Sequence, residues 1–227
     1  MACTLKALLR FGAPLLVALG LACGGGSGSG SGAVAPSSKG LSYVNPTGSG
    51  WRLMKDAAST PQRLVLTLVG PTGEYGRGVG FNLRTDGSVA FGKLDGEYLQ
   101  DVGVFRLGNM TGPISLFGRT VVNDVYASGG GIKEDGKMLT VGAFQKDRRW
   151  PAVPLDQPLM RIAIDFEATT TGDLPKGAMI PLQVVRARSI PSYIGDTPGT
   201  PGFSLGSVVT NYRIDEIHVA VGTLTTN

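Results

Sequence analysis

The chain has 227 residues, with 21 Lys and Arg against 17 Asp and Glu, one histidine, two cysteines and a formal net charge of +4. No basic run exceeds two residues outside "KDRR", which carries its own acid, so the charge pattern excludes a nucleic-acid-binding profile. Two cysteines and one histidine are too few for a zinc site, and 35 glycines with 14 prolines argue against long helices.

In chain order, the first segment is "MACTLKALLRFGAPLLVALGLAC". Lys6 and Arg10 give it a positive start, and residues 11–22 form an apolar stretch broken by Pro14. A bilayer span needs about 20 apolar residues, so this stretch reads as the core of a secretory signal. The residues Gly20, Leu21, Ala22 and Cys23 resemble the lipobox of bacterial lipoproteins, with Gly20 where leucine is usual. The resemblance implies a signal peptide over residues 1–22, cut before Cys23, which then carries acyl chains such as palmitate. The cysteine count agrees. Cleavage removes Cys3, the mature chain keeps one thiol, and no disulfide can form.

Residues 24–40 read "GGGSGSGSGAVAPSSKG" and cannot bury enough apolar surface to fold. With Cys23 they form an expected lipidated spacer over 23–40, reaching roughly 20–24 Å. Two or more acyl chains would anchor it stably. Gly24 stands where many inner-membrane lipoproteins carry aspartate, which by resemblance implies a lipid anchor in the bacterial outer membrane, on the periplasmic or cell-surface side. Lys6 and Arg10 leave with the signal, so the mature charge is +2.

Residues 41–227 are expected to form one domain, long enough to bury a core without disulfide staples. "RLVLTLVGP" places Leu64, Leu66 and Leu68 on one face and stops at Gly70-Pro71. "RIAIDFEA" alternates, with Ile162, Ile164 and Phe166 opposite Arg161, Asp165 and Glu167. "MLTVGAF", "MIPLQVVRA" and "EIHVAVGTL" predict further strands. Asp-Gly pairs in "RTDGSVAF" and "KEDGKMLTV" predict type I′ hairpins. Many short strands with Gly/Pro turns predict an all-β fold, a jelly-roll or immunoglobulin-like sandwich.

Two stretches carry a family resemblance. "GVGFNLRTDGSVAFG" resembles a surface strand pair of cohesin-like modules, and "LMRIAIDFEATTTGDLPKGAMIPLQVVRA" resembles their penultimate hairpin. The resemblance implies a nine-strand jelly roll, related in fold to carbohydrate-binding modules, that binds a protein partner or a glycan and catalyses nothing.

Catalytic patterns are sparse. His218 falls out of phase with Ile217 and Val219, towards solvent, with Asp215 on the other side of the strand, so no Ser-His-Asp triad is predicted. "GRGVGFN" runs on as a strand instead of opening a helix, so its glycines read as sheet contacts and not a phosphate loop. Asp165 and Glu167 share a face with Arg161 and read as a solvated charge ladder, not a glycosidase pair. No cofactor is expected; calcium held by Gly/Asp-loop oxygens is the alternative left open. Trp51 is expected to pack under the first strand, and the tyrosines form no spaced row for a glycan. "FQKDRRWPAVP" is expected to project as a loop, because Pro151 and Pro154 stop the preceding strand. It makes Arg148, Arg149 and Trp150 the candidate partner-binding residues, since Trp and Arg are enriched at binding hot spots. The reading is a non-enzymatic, lipid-anchored envelope protein that binds an envelope protein or contributes to an extracellular assembly. A carbohydrate-binding module of the same fold is the alternative.

Overall fold

The computed structural model describes residues 37–105, 117–121 (backbone only), 136–145, 151–167, 174–191 and 213–227. All of them belong to the unit Ala35–Asn227. Among these residues the secondary structure is all strand: β1 (Leu41–Val44), β2 (Trp51–Lys55), β3 (Arg63–Val69), β4 (Tyr75–Gly76), β5 (Gly78–Thr85), β6 (Ala90–Gly92), β7 (Gln100–Asp101), β8 (Phe117–Val121), β9 (Met138–Phe144), β10 (Val153–Pro154), β11 (Met160–Asp165), β12 (Met179–Ile180), β13 (Leu182–Ile190), β14 (Asp215–Glu216), β15 (Val219–Ala220) and β16 (Thr223–Thr226).

Two sheets build the body. One has the order β15-β2-β3-β11-β6, with β7 also on β11; the other has the order β14-β13-β5-β9-β8. Pairing within both is antiparallel, except for parallel β15 on β2. A three-stranded sheet (β1-β16-β12) and the β10–β4 pair complete the fold. Period-two alternation explains the layering. Leu64, Leu66 and Leu68 of β3 and Ile162 and Ile164 of β11 are buried in the same core as Val79, Phe81 and Leu83 of β5 and Leu139, Val141 and Ala143 of β9. That shared core makes a β-sandwich. Each large side chain in it contributes about 1.5–3 kcal/mol.

The outer face of the first sheet is more than solvated polar surface. Val65 and Ala163 face each other in register and are also buried. They lie between two ion pairs. Arg63 holds Asp165 with two bonds, Nε–Oδ1 2.6 Å and Nη2–Oδ2 2.8 Å, and Arg161 Nε reaches Asp56 Oδ2 at 2.8 Å. The aliphatic stems of such arginines can cover apolar surface while the heads stay hydrated.

The sequence misses several connections. "RTDGSVAF" is not a hairpin: β5 and β6 lie in different sheets. Gly87 alone has positive φ there, whereas a type I′ turn needs it at both central residues. That turn occurs at Asp95-Gly96 (φ 53° and 88°), where Leu94 and Glu97 exchange both backbone hydrogen bonds. Of the second Asp-Gly pair, Gly136 has a positive φ of 73°, and Asp135 lies outside the described residues. The stretch around β11 to β13 is no hairpin either: β11, β12 and β13 enter three sheets, and Pro181 lacks the N–H to continue β12 into β13. "EIHVAVGTL" splits into β14, β15 and β16, crossing sheets at Ile217-His218 and again at Gly222. Ordered packing also starts ahead of residue 41. Ser38 N donates to Leu174 O at 3.2 Å, Lys39 N donates to Asn227 O at 2.6 Å, and Ser38 is buried.

Candidate functional site

The strand registers give the body two ends. Leu41, Arg63, Thr85, Asp165, Leu182 and Thr226 mark one; Val69, Gly78, Phe144, Met160 and Ile190 mark the other. The described flanks of the stretch carrying the candidate residues, Phe144–Gln145 and Pro151, lie at the second end. Arg148, Arg149 and Trp150 themselves lie outside the described residues, as does Cys23.

The base of this stretch is built from buried polar groups. Arg77 is 0 % exposed and so is Gln145. Arg77 Nη1 donates to Gln145 Oε1 at 3.1 Å, and Gln145 Nε2 donates to Pro151 O at 3.2 Å. The backbone repeats the link, with Gln145 N donating to Arg77 O at 2.6 Å and Arg77 N donating to Ile190 O at 2.7 Å. One side chain therefore joins both ends of residues 145–151. Downstream, β10 pairs with β4 and Leu155 N donates to Glu74 O at 2.9 Å, which fixes the return path. Buried polar groups need such partners, since an unmade bond costs about 1–3 kcal/mol.

A cleft of about 440 Å³ opens beside this base, lined by Val102, Val104, Gln145, Pro151, Val153 and Gln157 among others. Its described walls are neutral: apolar side chains, backbone and two glutamine amides. That chemistry suits a contact surface more than proton transfer, which needs a positioned acid or base.

The remaining sequence candidates fall apart in space or are already engaged. His218 is exposed between β14 and β15. Asp165 is held by Arg63, whose guanidinium pKa that carboxylate raises through hydrogen bond and charge. Glu167 lies beyond the end of β11, so the two carboxylates do not make a catalytic pair on one strand. Asp56 is the better-held carboxylate. Burial pushes its pKa up, but the Thr67 hydroxyl, the Ala58 N–H and the Arg161 guanidinium outweigh burial and hold it below the usual value. "GRGVGFN" spans β4 and most of β5, and a Cβ on Gly78 would overlap the Phe144 side chain, so close strand approach explains that glycine. Trp51 is buried within β2, and Lys93 lies 5.1 Å from the centre of the Tyr98 ring. Among the described residues no group of three His, Cys, Asp or Glu is placed to hold a metal.

No family model and no curated protein matches the chain. A solved cohesin module from a family 33 glycoside hydrolase of Clostridium perfringens is similar at 11 % identity, over 79 % of this chain and 96 % of that module, with a TM-score of 0.32. The β-sandwich assignment itself rests on the strand registers and the shared core.

Sequence reasoning missed Arg77 and Gln145. The signal was present. Arg77 is in phase with Val79, Phe81 and Leu83, and Gln145 is in phase with Leu139, Val141 and Ala143. A polar residue on the inward phase of a strand end marks a buried hydrogen-bonded pair.

Proposed function

We propose that this protein is a non-enzymatic, lipid-anchored envelope module that binds a protein partner through the stretch carrying Arg148, Arg149 and Trp150. The observation that supports this reading is the Arg77–Gln145–Pro151 clamp. It fixes both ends of a short Arg- and Trp-bearing segment at one end of the sandwich, beside a neutral cleft. A hot-spot residue on a fixed base loses less conformational entropy on binding than one on a free loop. The anchor is the acylated Cys23, and the location is the outer membrane. The cohesin-like pattern in the sequence agrees with a binding role in an extracellular assembly.

The test is a variant with Arg148→Ala, Arg149→Ala and Trp150→Ala. Photo-crosslinking from residue 152 in envelope preparations should give a discrete protein adduct with the wild type and lose it with the variant. Both proteins should melt alike. An adduct unchanged by the triple variant, or one with glycan only, would reject the protein-binding reading; the glycan outcome would favour a carbohydrate-binding module.

A further inference from the structure

We infer that the end of the sandwich carrying Ser37 is a membrane-apposed surface, on which Lys39 and Lys176 meet anionic phospholipid headgroups; this rests on the anchor reading above. Ser37 bridges to Pro175. Ser38 and Lys39 are tied by backbone bonds to Leu174 and Asn227, and Asn227 N returns a bond to Gly40 O at 2.8 Å. The chain therefore joins the body at a fixed point on the end marked by Leu41, Arg63 and Asp165. Residues 24–36 separate that point from Cys23, and a Gly/Ser-rich chain of that length reaches about 20 Å.

A cleft of about 510 Å³ sits at this junction, lined by Ser37, Lys39, Pro61, Gln62, Lys176 and Asn227. Both lysines are exposed, and the lining holds no acidic side chain. The described acids beside the cleft are engaged: Asp165 by Arg63, and Glu167, next to Phe166 whose N–H donates to Gln62 O at 2.8 Å, in an interaction of its own. Asp86 lies at the same end outside the cleft, next to Gly87, against which the Lys137 chain rests. Charge attraction to an anionic bilayer decays over about 8–10 Å. The opposite end lies about 20 Å away along seven-residue β3. Only the Ser37 end can feel that field when the body sits down, and each lysine near such a surface is worth about fivefold in occupancy. This posture turns the 145–151 end outward.

The experiment uses the acylated full-length protein in phosphatidylglycerol-containing vesicles, with acylation checked by palmitate labelling. A single fluorophore is placed at Gln62→Cys, in the cleft, or at Thr72→Cys, at the far end, and quenched by headgroup-labelled lipid. The label at 62 should be quenched more strongly than the label at 72. Lys39→Gln with Lys176→Gln should shift that orientation by about 25-fold and equalise the labels, as should vesicles of phosphatidylcholine alone. Equal quenching in the acylated wild type, or a preference that the double variant leaves unchanged, overturns the inference while the anchor stands. Absence of acylation overturns both.

Discussion

Tyr43 and Gly222, 179 residues apart, are joined by a hydrogen bond from the Gly222 N–H to the Tyr43 hydroxyl at 2.6 Å. The same hydroxyl donates to Leu53 O at 2.9 Å. One phenol thus ties β1, β2 and the β15–β16 connection together inside the core.

Burial pushes the Tyr43 pKa up to about 12, against a smaller lowering by the Gly222 N–H. The sign follows directly. Between pH 10 and 12 the unfolded chain has lost this proton and the folded chain keeps it, so stability falls as pH rises. The loss through that window should approach about 3 kcal/mol, and it should be absent below pH 10. Tyr43→Phe should cost about 1–3 kcal/mol at pH 7, because the Leu53 carbonyl and Gly222 N–H lose their partner. It should also flatten the alkaline limb. Urea melts at pH 7, 10 and 11.5 measure both effects.

Gly222→Ala should be among the most damaging single methyl additions in the protein. A Cβ there would overlap the Val44 carbonyl and strike Tyr43 Cζ at 2.8 Å. Backbone cannot yield as a side-chain tip can, so a loss of about 3 kcal/mol is expected. Gly50→Ala, with open space around it, is the matched control for thermal melts.

Asp56 should govern part of the acid limb. Its pKa is held below the ordinary 3.8, so its contribution is complete above the unfolded value. It is lost as pH falls from about 5 through the folded pKa. Asp56→Asn should cost about 1–3 kcal/mol at pH 7 and make stability less steep below pH 5. Acid titration followed by circular dichroism distinguishes the two proteins.

Much of this fold is legible in sequence, for identifiable reasons. The alternation at Leu64, Leu66 and Leu68, and again at Ile162 and Ile164, matches strands that face the core, because burial on one face writes itself as period two. Which sheet each strand joins is not written there. The jumps at Pro181 and at Ile217-His218 follow from long-range pairing, and two-residue strands such as β14 and β15 are shorter than any readable period. At the site, the stop at Phe144 is legible through Pro151 and Pro154, while the Arg77–Gln145 clamp needed phase to be tested on polar residues too.

Arg77 and Arg188 should separate a buried arginine from an exposed one. Arg77→Ala removes a fully buried side chain and takes its donor from Gln145 Oε1, so about 1–3 kcal/mol should be lost. Arg188 meets Glu216 at 3.3 Å on the surface, and Arg188→Ala should cost under about 1 kcal/mol. Paired denaturant melts read the difference.

Cys23→Ser should release the protein from the membrane fraction and abolish palmitate labelling. Retention of the mutant, with a wild type that never labels, would reject the anchor.

The last strands carry a kinetic consequence. Within Asp215–Thr226 the chain adds β14 to one large sheet, β15 to the other and β16 to the middle of the three-stranded sheet. Strand β16 pairs with β1, at Leu41↔Thr226, almost the full length of the body apart. All three sheets therefore wait for this one short segment before they are complete. The pairing of such distant segments places folding in the slow regime of non-local β topologies, milliseconds to seconds.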